Sequence, residues 1–152
     1  MNLSLDTNVF IALIRGRDPT VRKAFQAALT GGQSLHASLI VLHELLYGAE
    51  VHAHPITQRE SVRLVLAQVA IAPFDAGDMA AAARMRAQLR RRGTPIGAYD
   101  TLIAGQALAR GWTVVTANAC QFAMVGGLKL IDWTAQSAIG GQPDKDIAND
   151  PL

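Results

Sequence analysis

The sequence is poor in several features, and each shortage removes a class of protein. Its 152 residues include one cysteine, Cys120, so no internal disulfide can form and a reducing compartment is expected. No apolar run approaches the roughly 18 residues that a membrane-spanning helix needs. No basic residue precedes the first apolar run, and Asp6 interrupts it, which is unlike a secretory signal. The expectation is a soluble, cytoplasmic protein with no membrane partner. A glycine-rich phosphate loop is also missing, which argues against a nucleotide-binding ATPase. Aromatic residues make up 5% of the chain and charged residues 17%. Half of the residues are hydrophobic, with Ala and Leu abundant, a balance that favours closely packed helices around one full core. The net charge of +2 and a pI near 9.0 permit binding to phosphates without requiring it.

The remaining pattern is regular. Short apolar runs at Leu3–Leu5, Ser34–Ala37, Ala70–Phe74, Trp112–Thr116 and Leu128–Ile131 read as strands, and helical periodicity fills the intervals between them. Asp6, Thr7 and Asn8 are all capping residues ahead of a helix over Val9–Arg15, and Asp18-Pro19 starts a second that ends at Gly31-Gly32. Ser38 caps a helix from Leu39 to about Val51. Thr57 and Glu60 have the spacing of a capping box for a helix running to about Val69. Asp75 or Asp78 caps the next, and Tyr99–Ala109 forms another, stopped by Gly111. Strands alternating with helices predict a three-layer α/β/α sandwich around a mostly parallel sheet of four or five short strands. The predicted domain spans residues 1–135, and residues 136–152, rich in Gly, Pro and Asp, are expected to be a poorly ordered tail.

Most of the acidic residues sit where acids usually sit: at helix starts, among other polar residues or in the tail. Asp6, Glu44 and Asp100 do not. Asp6 ends the first strand, at the carboxyl edge where open α/β sheets bind ligands. Glu44 lies within Leu39–Tyr47 and Asp100 between Ala98-Tyr99 and Thr101–Ala104, apolar settings in which an unpaired charge costs several kcal/mol. Singly, Asp6 can be a helix cap, Asp100 a dipole partner and Glu44 half of an ion pair. Together, with no Lys or Arg in these segments, they call for a shared cation, and carboxylate oxygens suit Mg²⁺ or Mn²⁺. Such a site polarises phosphates and activates water, and phosphodiester cleavage is its natural chemistry.

Four segments in order, Leu5-Asp6-Thr7-Asn8, His43–Ala49, Ile96–Ala104 and Val115–Asn118 with Phe122, resemble the PIN-domain ribonucleases, in particular the VapC-type toxins of toxin–antitoxin pairs. The resemblance runs from Met1 to about Trp133. It implies a metal-dependent endoribonuclease in which Asp6, Glu44 and Asp100 hold Mg²⁺ or Mn²⁺, an RNA substrate, a homodimer and a VapB-type antitoxin that covers the site. Many PIN domains have another acid in the fourth segment, where this sequence has the amides Asn118 and Gln121. The resemblance therefore implies one well-held ion, with Thr116 and Asn118 orienting water or the ion's shell. The missing acid also leaves room for an alternative, a PIN-like module that binds RNA or antitoxin with weak or no nuclease activity.

Other motifs fall short. His43-Glu44-Leu45-Leu46-Tyr47 has Tyr47 where a zinc-protease helix needs its second histidine. Arg84, Arg86, Arg90, Arg91 and Arg92 are candidates for contacts to the RNA backbone, or form a solvated helix end favourable to the dipole.

Overall fold

In β1 (Asn2–Leu5) three consecutive residues, Leu3, Ser4 and Leu5, are buried, as expected of a strand covered on both faces. It is the centre of a five-stranded sheet in the computed structural model, which describes residues 1–117 and 119–134. Asn118 and the tail expected from residue 136 lie outside the described residues. The other strands are β2 (Ser34–Ser38), β3 (Ala70–Ala72), β4 (Thr113–Thr116) and β5 (Lys129–Asp132). Their order is β3-β2-β1-β4-β5, and all four neighbouring pairs are parallel. Leu3 is in register with Leu35 on one side and Thr113 on the other, and Leu5 pairs with Val115.

The helices are α1 (Thr7–Arg15), α2 (Pro19–Thr30), α3 (Leu39–Glu50), α4 (Pro55–Leu66), α5 (Ala76–Arg91), α6 (Ala98–Arg110) and the single turn α7 (Ala119–Phe122). From β1 the chain moves through β2 to β3 in one direction, then crosses to the other side of β1 for β4 and β5. Right-handed crossovers therefore place α1 to α4 on one face and α5 to α7 on the other. The three-layer sandwich holds, with a sheet that is wholly parallel. No helix among the described residues is long and apolar enough to cross a membrane.

Two local expectations need correction. The Thr57–Glu60 capping box does not form: α4 begins two residues earlier, with Pro55 in its first turn, and Glu60 turns to Arg63 at 2.6 Å. Proline's fixed φ and missing N–H suit the first helical position, so Pro55 sets the start. β3 also ends sooner than predicted, at Ala72, because Pro73 has no N–H to continue the ladder.

α5 and α6 pack with almost nothing between them. A Cβ on Gly105 would lie 2.4 Å from Ala82 Cβ and 2.5 Å from Ala82 Cα, closer than any real contact. Gly105→Ala is therefore expected to destabilise the protein by about 1–3 kcal/mol through overpacking. A lower denaturation midpoint at unchanged m-value is the diagnostic. Adding Ala82→Gly should recover only part of the loss, because the Ala82 backbone is itself in the way.

The same interface buries a charge. Asp78, 1% exposed, accepts from Arg110 Nε at 3.0 Å and Nη2 at 2.6 Å, from Gln106 Nε2 at 3.3 Å and from the Asp75 N–H at 3.0 Å. Arg110 and Gln106 also donate to the Pro73 carbonyl, at 2.7 and 3.1 Å, so the cluster ties α5, α6 and the end of β3 together. Burial works to raise the Asp78 pKa, and the bonds from Arg110, Asp75 and Gln106 outweigh it, leaving the carboxyl below its usual range. The expected cap at this helix start is present as a reciprocal Asp75/Asp78 box.

Candidate active site

Because the chain leaves β1 first toward β2 and later toward β4, the strand order reverses at β1. The crevice at the carboxyl ends of β1 and β4 is thus the topological switch point, where parallel sheets bind ligands. Asp6 is the residue immediately after β1, and its N–H donates to Val115 in β4 at 3.0 Å. Its side chain is 2% exposed and fixed at both oxygens. Oδ1 caps α1 by accepting from the Val9 N–H at 3.0 Å, and Oδ2 accepts from Thr116 Oγ1 at 2.5 Å.

Glu44 reaches the same region from α3, accepting a hydrogen bond from the Thr7 hydroxyl. Asp100 is in the first turn of α6, after Gly97. A Cβ on Gly97 would lie 3.0 Å from Asp100 Oδ2 and 3.7 Å from Gln121 Oε1, so a side chain there would crowd the carboxylate. Gln121 also accepts from the Gly97 N–H at 3.5 Å, which puts this amide beside the start of α6.

The acids sense one another. Burial pushes the Asp6 pKa up to about 6, against the hydrogen bonds from Thr116 and Val9, and the charge of Asp100 adds to the rise. The Asp100 pKa is raised too, first by burial and then by Glu44. None of the ion pairs among the described residues involves any of the three. The donor set is hard oxygen, and a divalent cation would relieve both the burial cost and the repulsion.

One expectation takes a looser form than the sequence suggested. Among the described residues, no three His, Cys, Asp or Glu side chains converge into a ready-made metal cage. Asp6 is tied to Val9 and Thr116 and Glu44 to Thr7, so each carboxylate answers to its own neighbour.

A PIN domain family model matches residues 3–126. The chain belongs to the PIN-domain family. Within that family, the tRNA(fMet)-specific endonuclease VapC of Shigella flexneri is 34% identical over 134 residues, spanning 88% of this chain and 99% of that protein. Among solved structures, DNA-bound VapBC from Salmonella typhimurium superposes with a TM-score of 0.81 at 33% identity, covering 88% of this chain and 98% of the other. VapBC2 from Rickettsia felis, bound to a fragment of its promoter, has a TM-score of 0.83 at 27% identity, covering 88% and 99%.

In this PIN domain the other predicted contributors divide. Thr116 is buried and bonded to Asp6, whereas Asn118 lies outside the described residues. Arg84, Arg90, Arg91 and Arg92 are all exposed. Arg90 lines a groove of about 720 Å³ between α5 and α6, together with Arg86, Ile96 and Tyr99, and Arg84, Arg91 and Arg92 do not line it. Thr7 was legible only as a helix cap. Its hydroxyl serves Glu44 instead, 37 positions away, a pairing that no local pattern announces.

Proposed function

We propose that this PIN domain, residues 1–135, is a metal-dependent endoribonuclease that acts as the toxin of a toxin–antitoxin pair. The observation that carries the reading is the placement of Asp6: buried at the β1/β4 switch point, locked by two hydrogen bonds, and close enough to Asp100 for that residue's charge to add to the rise in its pKa. Asp6, Asp100 and Glu44 are the residues that would hold Mg²⁺ or Mn²⁺. When bound, such an ion supplies a Lewis acid for the phosphate and a lowered pKa for water.

The chain's own residues do the rest. Hydrolysis adds water across a phosphodiester bond: the water oxygen bonds to phosphorus, the bond to the departing sugar oxygen breaks, and that oxygen takes up a proton. Asp6 and Asp100 would hold the ion, and Thr116 fixes the Asp6 carboxylate through its hydrogen bond. Glu44, restrained by the Thr7 hydroxyl, would offer the third carboxylate. In sequence, Asn118 and Gln121 are amides where many PIN domains carry a fourth acid, which favours one ion over two.

A VapB-type antitoxin that covers this site is part of the proposal, supported by the solved relatives being VapBC complexes, and a homodimeric assembly completes it. The Shigella flexneri relative is named for tRNA(fMet), so initiator tRNA is the first substrate to assay. The test incubates antitoxin-free protein with initiator tRNA and with total RNA, in Mg²⁺, Mn²⁺ or a chelator. Metal-dependent cleavage that falls by at least about 100-fold in Asp100→Asn is expected, since even outer-shell partners of a metal cost 10–100-fold. A folded native chain that cuts no RNA in either metal would sink the reading.

A further inference from the structure

The chain has two tyrosines, Tyr47 and Tyr99, and both line one cleft of about 380 Å³ with Thr7, Ile11, His43 and Glu44. Neither is needed to fill the core, since Tyr47 is 63% and Tyr99 43% exposed. In a sequence with only 5% aromatic residues, this concentration of exposed rings beside the carboxylates calls for an explanation.

The rings are also held in place. Tyr99 Oη and His43 Nε2 share a hydrogen bond of 3.2 Å across 56 positions of sequence, and the two rings meet edge to face at 5.7 Å and 86°. A T-shaped contact engages one face of one ring only, so ring surface remains for a further partner. His43 directly precedes Glu44 on α3, and Tyr99 directly precedes Asp100 on α6. Successive side chains on a helix diverge by about 100°, so each ring stands beside its carboxylate and leaves it uncovered.

The lining of this cleft contains no Lys or Arg, and it includes Glu44. Arg86 and Arg90 lie in the neighbouring groove that Tyr99 also lines, so phosphate contacts fall outside this cleft. Base stacking on aromatic rings is the attraction that still works in such a setting, and it tolerates any sequence because every base has a π-face.

We propose that His43, Tyr99 and Tyr47 form a stacking platform for an unpaired base of single-stranded RNA next to the scissile phosphate. This inference rests on the cleft being an RNA-cleaving site. Tyr99 is then the main substrate-positioning residue, with His43 fixing its ring. A substrate made only of paired bases offers the platform nothing, so cleavage is directed to loops and single-stranded ends.

The test reads binding apart from cleavage. Short single-stranded RNAs carrying a fluorescent purine analogue are titrated with the full chain in chelator, and metal-dependent cutting of the same RNAs is measured separately. Tyr99→Ala is expected to weaken binding on the order of 10-fold, and Tyr99→Phe, which keeps the ring, to recover most of that loss. An abasic nucleotide walked along the RNA should reach one position at which native and Tyr99→Ala proteins bind alike. Thermal melting of each variant separates lost stacking from lost fold. Ring-dependent binding without any cutting supports the platform and overturns the nuclease reading. Cutting with binding indifferent to Tyr99→Ala, or equally weakened at every abasic position, overturns the platform and leaves the nuclease reading in place. A loss of antitoxin affinity with RNA binding intact also overturns it, assigning the rings to the protein partner.

Discussion

Asp6→Asn is expected to abolish RNA cleavage and, in the same variant, to raise the melting temperature of the metal-free protein. The first half follows from chemistry. The substitution removes the charge of the best-buried carboxylate at the switch point, and if Asp6 is the direct ligand proposed above, its loss should cost more than the roughly 10–100-fold typical of outer-shell metal partners. The second half follows from burial. The folded-state pKa of Asp6 is raised from 3.8 to about 6, chiefly by desolvation. A raised pKa means that the group's favourable contribution is complete below pH 3.8 and is lost as pH climbs through 6. Above that range the ionised carboxylate destabilises the metal-free fold by about 3 kcal/mol. Asn keeps the Val9 cap and can donate its amide to the Thr116 oxygen, but carries no charge. At pH 8 in chelator the variant should melt roughly 5–10 °C above the native chain. The gap should close toward pH 4 and narrow when Mg²⁺ is added. Equal melting temperatures at pH 8 would show that Asp6 is not strained by burial.

The largest loss of stability is expected from Arg110→Met. Asp78 would then be a charge 1% exposed with its guanidinium partner gone, and breaking a buried pair on one side costs about 3–5 kcal/mol. Native Asp78 titrates below its usual range, so its pairing stabilises the fold above the unfolded pKa and that contribution fades as pH falls. In the variant the loss should be greatest at neutral pH and shrink in acid, where Asp78 takes up a proton. Adding Asp78→Asn to Arg110→Met should restore much of the stability at pH 7, because it removes the orphaned charge. Urea denaturation at pH 7 and pH 4 checks each part, and a double variant no better than the single one would place the cost in lost packing over Trp112, where the guanidinium carbon lies 5.1 Å from the ring centre.

These two residues also mark the limits of what can be read from the chain alone. Asp6, Glu44 and Asp100 were legible because a carboxylate within an apolar run has no ordinary explanation, and the alternation of strands and helices was enough to give the layers of the sandwich. Asp78 was hidden by having an ordinary explanation that is also true: it completes the capping box that Asp75 opens at the start of α5. Its second role needs Arg110, 32 positions away, which by itself looks like a normal basic residue at a helix end. The capping box at Thr57 failed for the opposite reason, since a fitting local pattern was overruled by Pro55 nearby. The partnership of Tyr99 with His43 depends on two helices meeting across the sheet's edge, and nothing in either segment encodes the other's distance.

The bond from Thr116 to Asp6 spans 110 positions, and this has a consequence for the nascent protein. β1 is synthesised well before β4, so its ladder with β4 waits until Thr113–Thr116 has been made. At roughly 5–20 residues per second, Asp6 spends on the order of 10 s without the hydroxyl that fixes it. A ribosome-bound fragment that ends before β4 thus carries the acid without the strand and the hydroxyl that hold it.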